Sequence, residues 1–216
     1  SVEALESIAI DQSMAISLRI EAARAVGTLA TGPRISSVEK IKAAGWDGTQ
    51  RWFNRLVAAW LLAPVPANGD QQQQVLPLAE ELALDEEGSV AEVGLGSLMS
   101  WNVERVAMLA PQVASHPHPQ VRATIAQALL EQITPDRVSL LVEFLDDPFK
   151  PTRVAVRNGL IELLEDEKVG PAVAEQLSSV RSLHSWRGLE QQVRIMVAVP
   201  RVADGNWLTR QINHPR

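Results

Sequence analysis

The sequence predicts an all-α protein folded as an α-α superhelix, a row of helical hairpins stacked on one another. Three observations predict it. Between 119 and 146, apolar residues recur at the helical period in two runs separated by Thr134-Pro135-Asp136. The same spacing returns at four further places along the 216 residues. The composition, 46% hydrophobic but only 4% aromatic and without tyrosine, suits thin layers of Ala, Val and Leu.

The clearest unit runs from His116 to Leu145. Pro119 suits a first helical turn, where its missing N–H costs nothing. Val121, Ile125, Ala128 and Leu129 then fall on one apolar stripe that runs on toward Gln132. Ala123, Ala126 and Ala128 leave room for a neighbouring helix. Thr134 is placed to cap a second helix, with Pro135 at its first position. Val138, Leu141 and Leu145, flanked by Leu140 and Phe144, give that helix its own buried face. A hairpin of this size cannot bury both stripes alone, so it needs copies of itself on either side.

The copies are present. From Val121-Arg122, Thr152-Arg153 lies 31 residues on and Val90-Ala91 lies 31 back. Asn54-Arg55 is 36 residues before that, and Leu18-Arg19 a further 36. The shared pattern is apolar-Arg-x-x-small-small-x-small-apolar. Ala22, Ala23 and Ala25 fill its small slots in the first copy, and Ala58 and Ala59 fill two in the second. Asn54 and Ala91 depart from it. This pattern resembles the HEAT repeat family, in particular the bacterial HEAT-like type first noted in phycobilin lyases. Leu18-Arg19 to Gly27, Val121-Arg122 to Leu129 and Asp147-Pro148 to Leu160 carry the resemblance, over about residues 1–182. It implies a right-handed solenoid occupying 1–216 as a single domain, regular to about 182, with divergent helices at 183–216. Ankyrin and tetratricopeptide signatures are absent.

No run approaches 18 apolar residues, so no transmembrane helix is expected, and no signal-peptide pattern opens the chain as given. The absence of cysteine removes disulfides, thiol catalysis and cysteine-based metal sites. It fits a reducing interior, and the expected compartment is the cytoplasm. The formal charge of −6 runs against a general nucleic-acid binder. The charge is uneven: residues 1–167 hold 13 basic and 23 acidic side chains, and 168–216 hold 7 and 3. Residues 1–10 read as the tail of an earlier second helix, and 212–216 resemble the His116-Pro117 entry. The chain therefore reads as a segment of a longer solenoid.

In order, the spacing predicts helices at about 14–30, 38–44 and 49–63, the last unusually aromatic, with Trp52 and Trp60 eight residues apart and able to share a buried face. A loop from Pro64 to Asp70 runs into the polar Gln71–Gln74 patch, and Asp70 is the expected cap of a helix to about Leu84. Asp85-Glu86-Glu87 precedes a helix at 89–99, a placement that suits acidic side chains. Gly94 and Gly96 weaken that helix by about 1 kcal/mol each relative to Ala and imply close packing. Helices at about 101–115, begun by Trp101, 119–132, 135–146, 151–165 and 168–182 follow. A last amphipathic helix after Trp186 places Leu189, Val193, Met196 and Val197 on one face and ends at Pro200. Trp207, Leu208 and Ile212 suit a short closing helix.

Candidate chemistry is sparse. The recurring Arg19, Arg55, Arg122 and Arg153 suggest phosphate binding, but the resemblance implies a structural ladder in which each meets a turn carboxylate such as Asp11 or Asp147. His116 and His118 have His-x-His spacing without a third ligand, short of what zinc requires. His184 stands near Trp186 and Arg187 as a surface residue. Gly94-Leu95-Gly96-Ser97 lies inside a helix, where neither a nucleophile elbow nor a phosphate loop belongs. The acidic runs at 80–81, 85–87 and 165–167 read as helix ends and solvated faces. The sequence thus predicts no catalytic residue, no cofactor and no metal.

The expected function is a non-catalytic scaffold that holds another protein. In HEAT-type solenoids the second helices line a concave groove. Here they are about 71–84, 102–115, 134–145 and 167–182, with four basic against seven acidic side chains, a balance suited to protein rather than a phosphate backbone. The candidate partner-binding residues are Arg105, Met108, Gln112 and Glu143, together with Trp186, Arg187, Arg194 and Trp207 at the basic end, where Trp and Arg suit binding hot spots. The alternative is a nucleic-acid-binding or DNA-repair protein, of the HEAT-like alkylated-base glycosylase type, acting through that basic end. The helical phase carries its own test. Leu129→Ala and Leu160→Ala should each cost about 2–5 kcal/mol and Ala126→Leu about 1–3 kcal/mol. Three unchanged melting temperatures would refute the phase.

Overall fold

The computed structural model describes residues 1–46, 51–179 and 185–200. Among these the protein is all-helical, with twelve α-helices and no strand. No helix among them is long and apolar enough to cross a membrane. They fall into two compact units, Ser1–Thr124 and Ile125–Arg216.

The first unit contains α1 (Val2–Ile10), α2 (Ile16–Leu29), α3 (Ile35–Ala43), α4 (Trp52–Leu62), α5 (Gly69–Ala83), α6 (Gly88–Trp101), α7 (Val103–Val113) and the first turns of α8 (Pro119–Glu131). Helices α2, α4 and α6 pack side by side, α2 on α4 and α4 on α6. The others lie against this row: α1 on α2, α3 on α4, α5 and α7 on α6. The helices that carry the repeat pattern, α2, α4 and α6, thus form one row.

The second unit holds the rest of α8, α9 (Val138–Glu143), α10 (Lys150–Leu163), α11 (Gly170–Ser179) and α12 (Trp186–Ala198). Here α10 packs on α12 and α11, and α11 on α9. The helix expected over 135–146 is broken. Single 3₁₀ turns at Pro135–Arg137 and Phe144–Asp146 flank the short α9. Pro135 opens it as predicted, but Thr134 makes no capping bond.

The predicted stripe of α8 is the core: Val121, Ile125, Ala128 and Leu129 are fully buried, as is Leu160 of α10. Elsewhere two expectations are corrected. Asn68, not Asp70, caps α5, its carboxamide accepting from the Gln71 N–H at 2.9 Å. The glutamines Gln71–Gln74 are helical, as expected of a helix at about 71–84. Trp101 ends α6 instead of starting α7, since Asn102 caps α7 by accepting from the Arg105 N–H at 3.2 Å. Trp52 and Trp60 are both half-buried on α4.

The two glycines of α6 separate sharply. A Cβ on Gly94 would lie 2.7 Å from the Ala83 backbone nitrogen and 2.9 Å from the Leu82 carbonyl carbon, so α5 and α6 meet backbone to backbone there. A Cβ on Gly96 would meet nothing within 4 Å. Close packing therefore explains Gly94 alone. Helix propensity favours alanine at both sites by about 1 kcal/mol, but only at Gly94 does overpacking oppose it, by about 1–3 kcal/mol. Gly94→Ala should lower the melting temperature and Gly96→Ala should raise it. Equal shifts in the same direction would show that the α5–α6 approach is not what fixes Gly94.

Candidate partner-binding surfaces

The surfaces are positioned by the turns between helices. Buried side chains donate hydrogen bonds to turn carbonyls that would otherwise lack partners. Arg122 Nη1 donates to the His116 and Pro117 carbonyls at 2.7 and 2.9 Å. Arg153 Nη1 does the same to Asp147 and Pro148 at 2.6 and 3.0 Å. Arg19 Nε reaches the Ala9 carbonyl at 3.0 Å, and Arg55 Nη1 the Trp46 carbonyl at 2.9 Å. Burial pulls the Arg19 guanidinium below its ordinary pKa, and the attraction of Asp11 opposes this. The expected carboxylate ladder is thus in part a carbonyl ladder. Arg55 spans both kinds, since Nε and Nη2 also hold the Asp85 carboxylate.

The two departures from the repeat pattern are accounted for by the same turns. Asn54, 4% exposed, donates from Nδ2 to the Gly45 carbonyl at 3.1 Å, so this polar residue in an apolar slot is another buried donor to a turn carbonyl. Ala91 carries no donor. By analogy with Arg122 and Arg153, an arginine at 91 would serve the carbonyl six residues back, that of Asp85. His116 Nε2 lies 3.2 Å from that carbonyl and takes over the task.

The other side of each turn repeats as well. Asp85 Oδ1 accepts from the Glu87 N–H at 2.8 Å and Asp147 Oδ1 from the Phe149 N–H at 2.7 Å. At the intermediate position His116 Nδ1 accepts from the His118 N–H at 3.0 Å. His116 therefore does an aspartate's work with one ring nitrogen and an arginine's with the other, which assigns its proton to Nε2. This accounts for His116 of the His-x-His pair. The His118 ring lies against Gly88, where an added Cβ would come within 2.5 Å of it. Among the described residues no three side chains are grouped to hold a metal ion.

Two exposed turn aspartates follow the same chemistry. Bonds from the Ser13 hydroxyl and then the Ser13 N–H lower the pKa of Asp11. The Val169 and Lys168 N–H groups lower that of Asp166. A lowered carboxyl pKa contributes stability above the usual carboxylate range and loses it as pH falls through the folded value.

Of the predicted partner residues, Arg105, Met108 and Gln112 share one face of α7, and Met108 and Gln112 are exposed. Arg105 is committed to a bidentate ion pair with Glu80 of α5, closing through Nη2–Oε2 at 2.8 Å. That hydrogen bond raises the Arg105 pKa. Lys42 of α3 reaches Glu81 of α5 at 2.5 Å, so ion pairs join α3, α5 and α7 in one surface. Sequence reasoning missed these pairs because their partners are 25 and 39 residues apart. Leu84, exposed at the end of α5, was also missed.

The remaining candidates belong to the second unit. Glu143 is exposed at the end of α9. Trp186 and Arg187 are exposed at the start of α12, the guanidinium carbon 6.0 Å from the indole centroid. Arg194 pairs with Glu190 at 2.8 Å. Trp207 lies outside the described residues. Asp146 fixes the start of α12, accepting from the Ser185 hydroxyl and from the Gly188 N–H at 3.0 Å. The face of α12 is corrected. Gly188, Gln191, Gln192, Ile195 and Met196 are buried, whereas Val193 and Val197 are exposed. The sequence places two glutamines on the inward side, and apolar periodicity cannot detect that.

Comparison of the chain with protein-family models, with curated proteins and with solved structures gave no match.

His116 carries a direct test of the turn chemistry. His116→Ala should destabilise the protein by roughly 1–3 kcal/mol, two hydrogen bonds at about 1 kcal/mol each. His116→Asn should recover part of this, because its Oδ1 can accept from the His118 N–H but nothing replaces the bond to Asp85. Equal denaturation midpoints for the two variants would refute the double role.

Proposed function

We propose that the chain is a non-catalytic scaffold, a HEAT-like α-α superhelix that holds another protein on the face of its second helices. The observation that carries this reading is the surface of α3, α5 and α7. Four of its charges are paired across helices, Lys42 with Glu81 and Arg105 with Glu80. Beside them Met108, 50% exposed, and Leu84 stand in water. An apolar spot inside a neutralised polar rim is the composition of a protein-binding patch, and methionine is enriched in such patches. The same helices carry exposed prolines in mid-course, Pro77 and Pro111. Neither can donate to the carbonyl four residues back, so the exposed Gln73 offers an acceptor to a partner, whereas Ala107 is buried. Glu143, Trp186, Arg187, Arg194 and Trp207 are assigned to the same role at other positions.

The nucleic-acid alternative rests on Arg187 and Arg194. Glu190 cancels part of that charge in place, and this favours protein as the partner. Duplex DNA bound at low salt by the wild type, and not by an Arg187→Glu/Arg194→Glu variant, would reverse the preference.

Affinity capture from native lysate tests the patch. The wild type and Arg24→Ala, altered at an exposed site on α2, should retain the same discrete proteins. Leu84→Glu/Met108→Glu should lose them while keeping its helical circular dichroism. Capture that is identical for all three proteins would overturn the proposed face.

A further inference from the structure

Exposed large apolar side chains are not scattered over the described residues. Of the ten, three stand together around the start of α2, namely Met14, Ile16 and Leu18. Three more lie along α12: Trp186, Val193 and Val197, with Trp186 67% and Val197 75% exposed. Residues 186, 193 and 197 follow the i, i+7, i+11 spacing of one helix face, and half-buried Leu189 continues it. This face is distinct from the one α12 buries against α10. Isolated exposed hydrophobic residues need no explanation, but grouped ones mark contact surfaces.

The charges around the two groups are opposite. Residues 1–24 carry Glu3, Glu6, Asp11 and Glu21 against Arg19 and Arg24. Arg19 is buried, Arg24 is held by Glu21 at 2.5 Å and Glu6 is met by Arg34 at 3.5 Å, so Glu3 and Asp11 supply the acidity of this edge. Along α12, Arg187 is exposed and Arg194 is held by Glu190 at 2.8 Å, the only acid of that helix, so Arg187 supplies its net positive charge. Two α12 faces would set their arginines near one another, and two α2 edges would set acids together. An α2 edge against an α12 face joins apolar to apolar and acid to base.

We infer that copies of this chain associate head to tail, the acidic Met14-Ile16-Leu18 edge of one copy seated on the basic Trp186-Val193-Val197 face of the next. Such an interface is heterologous, using different patches on the two copies, and it grows into an open series unless the rotation closes a ring. It is independent of the Leu84–Met108 patch, which none of the variants below touches.

Sedimentation velocity of the full chain across a concentration series, at low and high salt, tests this. The wild type should at least double its mean mass as concentration rises, and salt should weaken the effect. Ile16→Glu and Val197→Glu should each be monomeric alone, because each keeps only one working end. Mixed one to one they should form a dimer and nothing larger. Glu3→Lys and Arg187→Glu, on exposed sites that carry no packing, should weaken association singly and restore it when combined in one chain. A wild type that stays monomeric at every concentration overturns the inference. So does an Ile16→Glu protein that still dimerises, which would mark a symmetric α12 contact, or a mixture that stays monomeric while the charge-swapped chain also fails to associate.

Discussion

The structure depends on buried donors that satisfy the carbonyls of its inter-helix turns. A helical hairpin leaves several backbone acceptors at each helix end. Once the next helix covers the turn, water can no longer serve them, and each unsatisfied group would cost about 1–3 kcal/mol. Arg122 and Arg153 meet this cost in the same way, one guanidinium nitrogen bridging two consecutive carbonyls. Arg19 serves the Ala9 carbonyl and Arg55 the Trp46 carbonyl. A guanidinium is well suited to the task, because its five donors stay charged and can serve carbonyl and carboxylate at once.

That constraint explains why the chain can vary its residues without losing the arrangement. Asn54 stands where an apolar residue is expected and donates to Gly45. Ala91 stands where an arginine is expected, and the donor arrives from the following turn as His116. The register survives because what must be supplied is a hydrogen bond at a place, and several side chains can deliver it. Around this skeleton the layers close where glycine lets backbones touch, as at Gly94 against Ala83. The outward surfaces are then free to carry function: a neutralised, Met-bearing patch on α5 and α7, and opposite charges at the α2 edge and on α12.

Sequence periodicity located nearly every helix because it reports burial within one element. It found the α8 stripe from Val121 to Leu129, the small residues between helices and the proline that opens α9. It was weaker wherever an outcome depends on a residue far along the chain. The pairs Arg55–Asp85 and Arg105–Glu80 join positions 30 and 25 apart, and no local pattern encodes them. The inward face of α12 was misassigned for a related reason. Gln191 and Gln192 are buried, Arg157 donating to Gln191 across helices at 3.2 Å, so polarity did not mark the wet side.

By itself the sequence determined the all-helical class, the phase of the apolar stripe of α8 and the recurrence of an arginine near the starts of α2, α4, α8 and α10. Periodicity and small-residue spacing are properties of a single helix and can be read from it. Only the tertiary structure decided what those arginines hold, how both ring nitrogens of His116 are engaged, and which large apolar side chains stand exposed. Those depend on which carbonyls, carboxylates and rings are brought within about 3 Å, and folding, not spacing along the chain, sets that distance.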